Sequence, residues 1–188
     1  MHFNYNYFGK SYLGLYISKN GYVSFGTNNT IYALNYDLDA SNSSGGIYYQ
    51  NLDSQSNDFN SIKSDINRLN SGFNLKNLFR ITYENVPAYN QSSLIASFQI
   101  ILARDGSLSN GSSYSSFVLL KYTSCLSNAA LRVTPGIYYI LSNGQQSFNQ
   151  FSYPCDSSNV NLTGTWVFDV SSGSVIFISQ NFLFNFLN

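Results

Sequence analysis

Leu15-Tyr16-Ile17-Ser18-Lys19-Asn20-Gly21-Tyr22-Val23-Ser24-Phe25-Gly26 sets two apolar-alternating runs on either side of a single Asn20-Gly21 pair. An Asn-Gly pair takes the positive φ angles of a tight type I′ turn at little cost, and β-formers flank it, so the stretch reads as a β-hairpin. Along Tyr12 to Ile17, the residues Tyr12, Gly14 and Tyr16 face one way and Leu13, Leu15 and Ile17 the other. Beyond the turn, Tyr22, Ser24 and Gly26 oppose Val23 and Phe25. One face is apolar and the other is tyrosine-rich and mixed.

Composition extends this reading to the whole chain. Its 188 residues suffice for one sizeable core, and no shift in composition divides them. Apolar residues make up 44%, so the chain folds; charged residues make up only 10% with zero net charge, which argues against nucleic acid or an anionic membrane as partner. The polar surface must come from Ser and Asn, while 17% aromatic residues, including 16 Tyr, suit pleated, half-buried strands. No run reaches the roughly 18 to 20 apolar residues that a membrane span needs, and Val175 to Leu187 is broken by Gln180, Asn181 and Asn185.

Read in order, Phe3 to Phe8 alternates into an opening strand, and Gly9-Lys10-Ser11 turns the chain. After the hairpin, Ile31 to Leu38 reads as a buried strand, and Gly46 to Gln50 as a short one carrying Tyr48 and Tyr49. Then the period changes: Phe59, Ile62, Ile66 and Leu69 predict an amphipathic helix at about residues 58–70, with Asn57 or Asp58 as N-cap and Lys63, Asp65 and Arg68 solvated. Leu78 to Tyr83 is a strand that Glu84-Asn85-Val86-Pro87 ends. Leu94 to Arg104 is the longest and most apolar strand, which predicts a central position covered on both faces. Phe117 to Tyr122 returns antiparallel after a polar loop from Asp105 to Ser115. Leu131 to Val133, Ile137 to Leu141, a weaker Gln145 to Tyr153 and Thr165 to Val170 complete the strands. The fold class is therefore mainly β: an antiparallel, two-sheet β-sandwich-like domain with one helix over a sheet face.

Ile17 to Gly26, Asp37-Leu38-Asp39, Gly46-Ile47-Tyr48-Tyr49, Phe98 to Leu102, Asp105-Gly106 and Ser116-Phe117-Val118 occur in that order. The ordered set resembles the nidogen-like extracellular (NIDO) domain of nidogen, alpha-tectorin and mucin-4 type proteins. Gly164-Thr165-Trp166-Val167-Phe168 fits the family's closing "G-x-W-x-F" strand, whereas Tyr83-Glu84-Asn85-Val86 stands where the family often has "W-x-x-V". The likeness spans roughly residues 3 to 170, so the domain is placed at 1–170, leaving 171–188 as a C-terminal extension or one more strand. It implies a non-catalytic adhesion module acting in cell–matrix contact within a larger mosaic protein, extracellular or on the ectodomain of a membrane protein. Matrix or cell-surface proteins, and glycans, are the partners it suggests. Cys125 and Cys155 would pair in a secreted protein, closing a loop worth roughly 3 to 4 kcal/mol, or remain two small buried apolar groups in cytosol; the resemblance favours the disulfide. Met1 to Tyr7 shows neither the positive nor the apolar region of a secretory signal, so an extracellular setting requires that the sequence be part of a longer chain.

Signals for chemistry are weak. The single histidine is His2, so no Ser-His-Asp or Cys-His arrangement is available, and Gly9-Lys10-Ser11 lacks the spacing of a phosphate loop. Asp37, Asp39, Glu84, Asp105 and Asp169 form no recognisable catalytic pair. The chain is thus read as no enzyme, with no cofactor. Asp37 and Asp39 share one face of a strand end, as a weak hard-cation candidate or as a polar cluster bonding loop amides. Five sequons stand at Asn28, Asn42, Asn90, Asn110 and Asn161; with 25 Asn and a fifth of the residues Ser or Thr, chance supplies about as many. They are candidate glycan acceptors only.

Two non-enzymatic classes follow. One is the adhesion module, with the 37–46 turn and the 105–115 loop as contact candidates, because polar loops on a rigid scaffold carry binding. The other is a glycan-binding β-sandwich, which needs exposed aromatics in a concave setting flanked by Asn or Asp.

Overall fold

The computed structural model describes residues 1–41, 45–68, 70–106, 115–125, 135–140, 144–151 and 155–171. In chain order the elements are β1 (Tyr5–Tyr7), β2 (Lys10–Tyr12), β3 (Tyr16–Ile17), β4 (Tyr22–Phe25), β5 (Asn29–Tyr32), β6 (Gly46–Leu52) and α1 (Asn57–Asn67). They continue with β7 (Leu75–Ala88), β8 (Gln91–Asp105), β9 (Ser116–Ser124), β10 (Gly136–Ile140), β11 (Gln146–Gln150) and β12 (Thr165–Asp169). All sheets are antiparallel: β1-β2, an inner sheet ordered β11-β10-β5-β4-β3, and an outer sheet ordered β12-β9-β8-β7-β6. The expected sandwich is present, with the β1-β2 ribbon as a third, smaller sheet.

Side-chain alternation sorts the outer sheet onto two cores. From β8, Phe98, Ile100 and Leu102 join Val23, Phe25 and Ile31 of the inner sheet, while Ile101 and Ala103 join Phe59, Ile62 and Ile66 of the helix. β9 divides likewise, Val118 and Leu120 facing inward and Phe117 and Leu119 facing the helix. The layers are sheet, sheet, helix. β8 is the central, doubly covered strand that its apolar run predicts.

The hairpin forms where expected, but its turn differs. Ile17 pairs with Val23, Ser18 N donates to Tyr22 O at 3.0 Å, and only Gly21 of the turn has positive φ, at 78°. That is a three-residue loop with glycine in the left-handed position, not a two-residue type I′ turn. Tertiary bonds select it: Ala33 N and Leu34 N both donate to Gly21 O, and a Cβ on Gly21 would lie 2.9 Å from that of Leu34. The type I′ geometry occurs instead at Phe8-Gly9, with φ of 49° and 76°, so Lys10 and Ser11 belong to β2 rather than to the turn. Phe8 is held in this costly conformation by its N–H on Val170 O at 2.7 Å and its ring stacked on Tyr139. Leu13, grouped with Leu15 and Ile17 on one strand face, is 72% exposed because the chain between β2 and β3 is not strand.

Other expectations are corrected similarly. β5 ends at Tyr32, and Leu38 is reached through irregular chain that bridges to Ala88. β7 does not stop before Pro87: a register shift between Tyr83 and Val86, with Asn85 at φ 49°, carries the strand on to Ala88. Beyond Glu84 the β6 partner has ended, so the missing proline N–H interrupts no ladder on that side, and Pro87 O accepts from Asp39 N. The helix is capped by Ser56, whose Oγ accepts from Phe59 N at 3.1 Å. Asp65 is buried, not solvated, and pairs with Lys121 of β9. Leu69, the strand expected at 131–133 and the 172–188 tail lie outside the described residues.

Four buried tyrosines bolt the layers together. Tyr83 OH donates from β7 to Ser18 O at 2.5 Å, and Tyr122 OH from β9 to Ala33 O at 2.5 Å. Tyr5 OH reaches Phe117 O at 2.8 Å, and Tyr7 OH reaches Tyr138 O at 3.0 Å and Thr30 O at 3.3 Å. Burial pushes the ionisation of all four above the ordinary phenol value of 10.0, for Tyr5, Tyr7 and Tyr122 well above it. Cys125 and Cys155 form a disulfide with their Cα atoms 6.1 Å apart, tying the end of β9 to the segment that leads into β12.

Two outcomes are expected. The Cys125→Ser/Cys155→Ser variant loses about 3 to 4 kcal/mol, lowering Tm by roughly 10 °C in a thermal melt. Because the folded tyrosines hold their protons to higher pH than the unfolded ones, their contribution is complete below pH 10 and is lost above it. Alkaline titration followed by tyrosinate absorbance and by β-sheet circular dichroism then gives one steep, shared transition; separate transitions would contradict the assignment.

Candidate functional site

The helix covers only part of the outer face of its sheet. Under it the strand residues are apolar: Leu78, Ile101, Leu119 and Val167. One row further along, the same face turns polar in every strand. Cα register aligns Tyr48 of β6 with Thr82 of β7, Thr82 with Gln99 of β8, and Gln99 with Lys121 of β9. With strands about 4.8 Å apart, this row runs about 14 Å across the sheet. Beside the helix, three members of the row, Tyr48, Thr82 and Gln99, line an open groove of about 640 Å³.

Its walls are set by two kinds of polar contact. Toward the helix, Arg80 meets Asp58 at 2.6 Å and Lys121 meets Asp65 at 2.5 Å, so both cations beside the groove are committed to helix carboxylates. At the far end, the β7 bulge is pinned to β8: Asn85 N donates to Ser97 Oγ at 2.9 Å, and that hydroxyl donates to Asn85 Oδ1 at 3.2 Å. Thr123 Oγ1 donates to Ser97 O at 3.1 Å, linking β9 to the same corner. Between these walls Gln50, Thr82 and Gln99 present amides and a hydroxyl that bond to no described side chain, and Tyr48 stands 53% exposed on the edge strand. Glu84 lies on the rim. The arrangement can hold a hydroxyl-rich molecule against an aromatic face.

The residues singled out from sequence lie elsewhere. Asp39 Oδ1 accepts from the loop amide Ser41 N at 3.0 Å, and Asp37 is exposed on the other side of Leu38. Among the described residues no three His, Cys, Asp or Glu side chains gather around one point. Asn28, Asn90 and Asn161 are exposed; Asn90 forms the β7–β8 turn at φ 57° and Asn161 also has positive φ. Asn42, Asn110 and the interior of both contact loops, 42–44 and 107–114, lie outside the described residues. His2 sits at the N-terminus with its backbone N–H toward Asn51. The groove had a signal of its own: Ile101 gives way to Gln99 and Ser97 in β8, and Leu119 to Lys121 and Thr123 in β9, always on one face.

A family comparison bears on the whole of this architecture. The nidogen-like domain matches residues 10–172, far more than half of the chain. The chain belongs to the nidogen-like domain family. The family is one of non-enzymatic modules that occur in extracellular, matrix-type proteins. Searches of curated proteins and of solved structures find no significant match. In this nidogen-like domain no helix among the described residues is long and apolar enough to cross a membrane.

The ion pair at the groove wall is open to test. Asp65 is buried, so Asp65→Ala strands Lys121 beside the helix and is expected to cost about 2 kcal/mol, measured by denaturant unfolding. A loss below about 0.5 kcal/mol would mean that the pair does not hold the helix to the sheet.

Proposed function

We propose that this nidogen-like domain is a non-catalytic extracellular adhesion module, mediating cell–matrix contact as one unit of a larger mosaic protein. The observation that carries the reading is the family match over residues 10–172. Two physical features support it. The Cys125–Cys155 disulfide suits an oxidising compartment. A surface built from Ser, Asn and Tyr, with only 10% charged residues, suits contacts made through hydrogen bonds and aromatic faces rather than through steering by charge.

The contact regions in this reading are the polar segments at 37–46 and 105–115. The oxidised domain coated on a surface is expected to retain extracellular matrix, or to support cell attachment, in a saturable manner. Replacing residues 107–114 by a Gly-Ser linker of equal length should reduce retention at least about tenfold while leaving Tm unchanged. Absence of retention by the intact domain on every matrix and cell type would sink the adhesion reading; unchanged retention in the variant would move the interface away from that loop.

A further inference from the structure

The groove on the outer sheet differs in chemistry from the loops just named. Its floor is a cross-strand row of Tyr48, Thr82 and Gln99, with Gln50 beside it and Asn85, Ser97 and Thr123 closing one end. Pockets of about 300 to 1,000 Å³ are the size that holds a small ligand, and this one, at about 640 Å³, is open along its length. We propose that the groove is a binding site for a neutral oligosaccharide, laid across the strands with one ring on Tyr48 and its hydroxyls on Gln50, Thr82 and Gln99.

Each part of the site matches that ligand. A sugar ring offers adjacent hydroxyls that both donate and accept, which a side-chain amide can meet with its NH₂ and its oxygen together. It also offers a C–H face, for which the exposed Tyr48 ring is the complement. Charge decides which sugar. Arg80 and Lys121 are neutralised by Asp58 and Asp65, and Glu84 on the rim repels anions, so sulfated and carboxylated sugars are disfavoured.

This inference rests on the reading of the chain as an extracellular contact module and names a ligand class for it. The test uses the oxidised, full 188-residue chain on an array of neutral oligosaccharides, among them chitotriose, N-acetyllactosamine and mannotriose, beside sialylated and sulfated ones. Saturable binding to a neutral member is expected, weakened at least about tenfold by Gln99→Ala and by Tyr48→Ala and unchanged by Tyr16→Ala, an exposed tyrosine on the inner sheet. Tyr48 is on an edge strand, so its variant keeps the test open if Gln99→Ala fails to fold. No binding to any neutral sugar, preference for sulfated ones, or indifference to both groove variants would overturn the proposal. Retention of enzymatically deglycosylated matrix, alongside any of those results, would leave the adhesion reading standing without it.

Discussion

The fold depends on buried phenol hydroxyls that reach from one layer to the backbone of another. Tyr83 and Tyr122 leave the outer sheet and end on carbonyls at the hairpin tip and just after β5, while Tyr5 and Tyr7 leave the ribbon and end on β9, β5 and β10. A hydrophobic interface between sheets is tolerant of sliding, since apolar contact has little direction. A hydroxyl that must find one carbonyl inside a dry core is not tolerant, because an unmade bond there costs a full desolvation penalty. These bonds therefore fix how the outer sheet and the ribbon sit on the rest of the sandwich.

The groove lies on the other face of the outer sheet, where the helix leaves part of the strands uncovered. The helix sits on Leu78, Ile101, Leu119 and Val167, where side chains at one position per strand are apolar, and it is fastened at the border by Arg80–Asp58 and Lys121–Asp65. Past the border the floor must tolerate water, and the sequence supplies Thr82, Gln99 and Thr123. The same two ion pairs that dock the helix use up the cations nearest the groove. The pairing of those cations, which leaves Glu84 as the charge facing the groove, is thus a consequence of how the helix is held.

Much of the architecture was legible in the chain. The apolar run of β8, the antiparallel return of β9, the change of period at Phe59 and the Trp166 strand each rest on local pattern, and each is where the pattern puts it. What was not legible depends on partners distant in sequence. Nothing near Asn20-Gly21 shows that Ala33 and Leu34 will bond the Gly21 carbonyl and change the turn, nor that Val170 will hold Phe8 in a left-handed conformation. Pro87 ends a strand by local rule, but the rule applies to a ladder, and the ladder on that side had already been handed from β6 to the segment around Asp39. Asp65 reads as solvated until Lys121, 56 positions away, is placed beneath it.

The candidate site was the least legible part because a cross-strand row leaves no contiguous motif. Tyr48, Thr82, Gln99 and Thr123 come from four strands, and only register brings them together. Sequence reading favoured the aspartates and the loops, where polar residues are consecutive. The trace of a row is subtler: a strand face that changes from apolar to polar partway along, in several strands at once. β8 and β9 both change in this way, at Ile101 to Gln99 and at Leu119 to Lys121, and antiparallel pairing puts the two changes side by side. A polar patch that arose from one strand alone would be ordinary solvated surface. Coincidence of the change in paired strands, at the line where a helix stops, makes a bounded polar floor, and a bounded floor with amides and a hydroxyl unbonded to other side chains is what distinguishes a site from a surface.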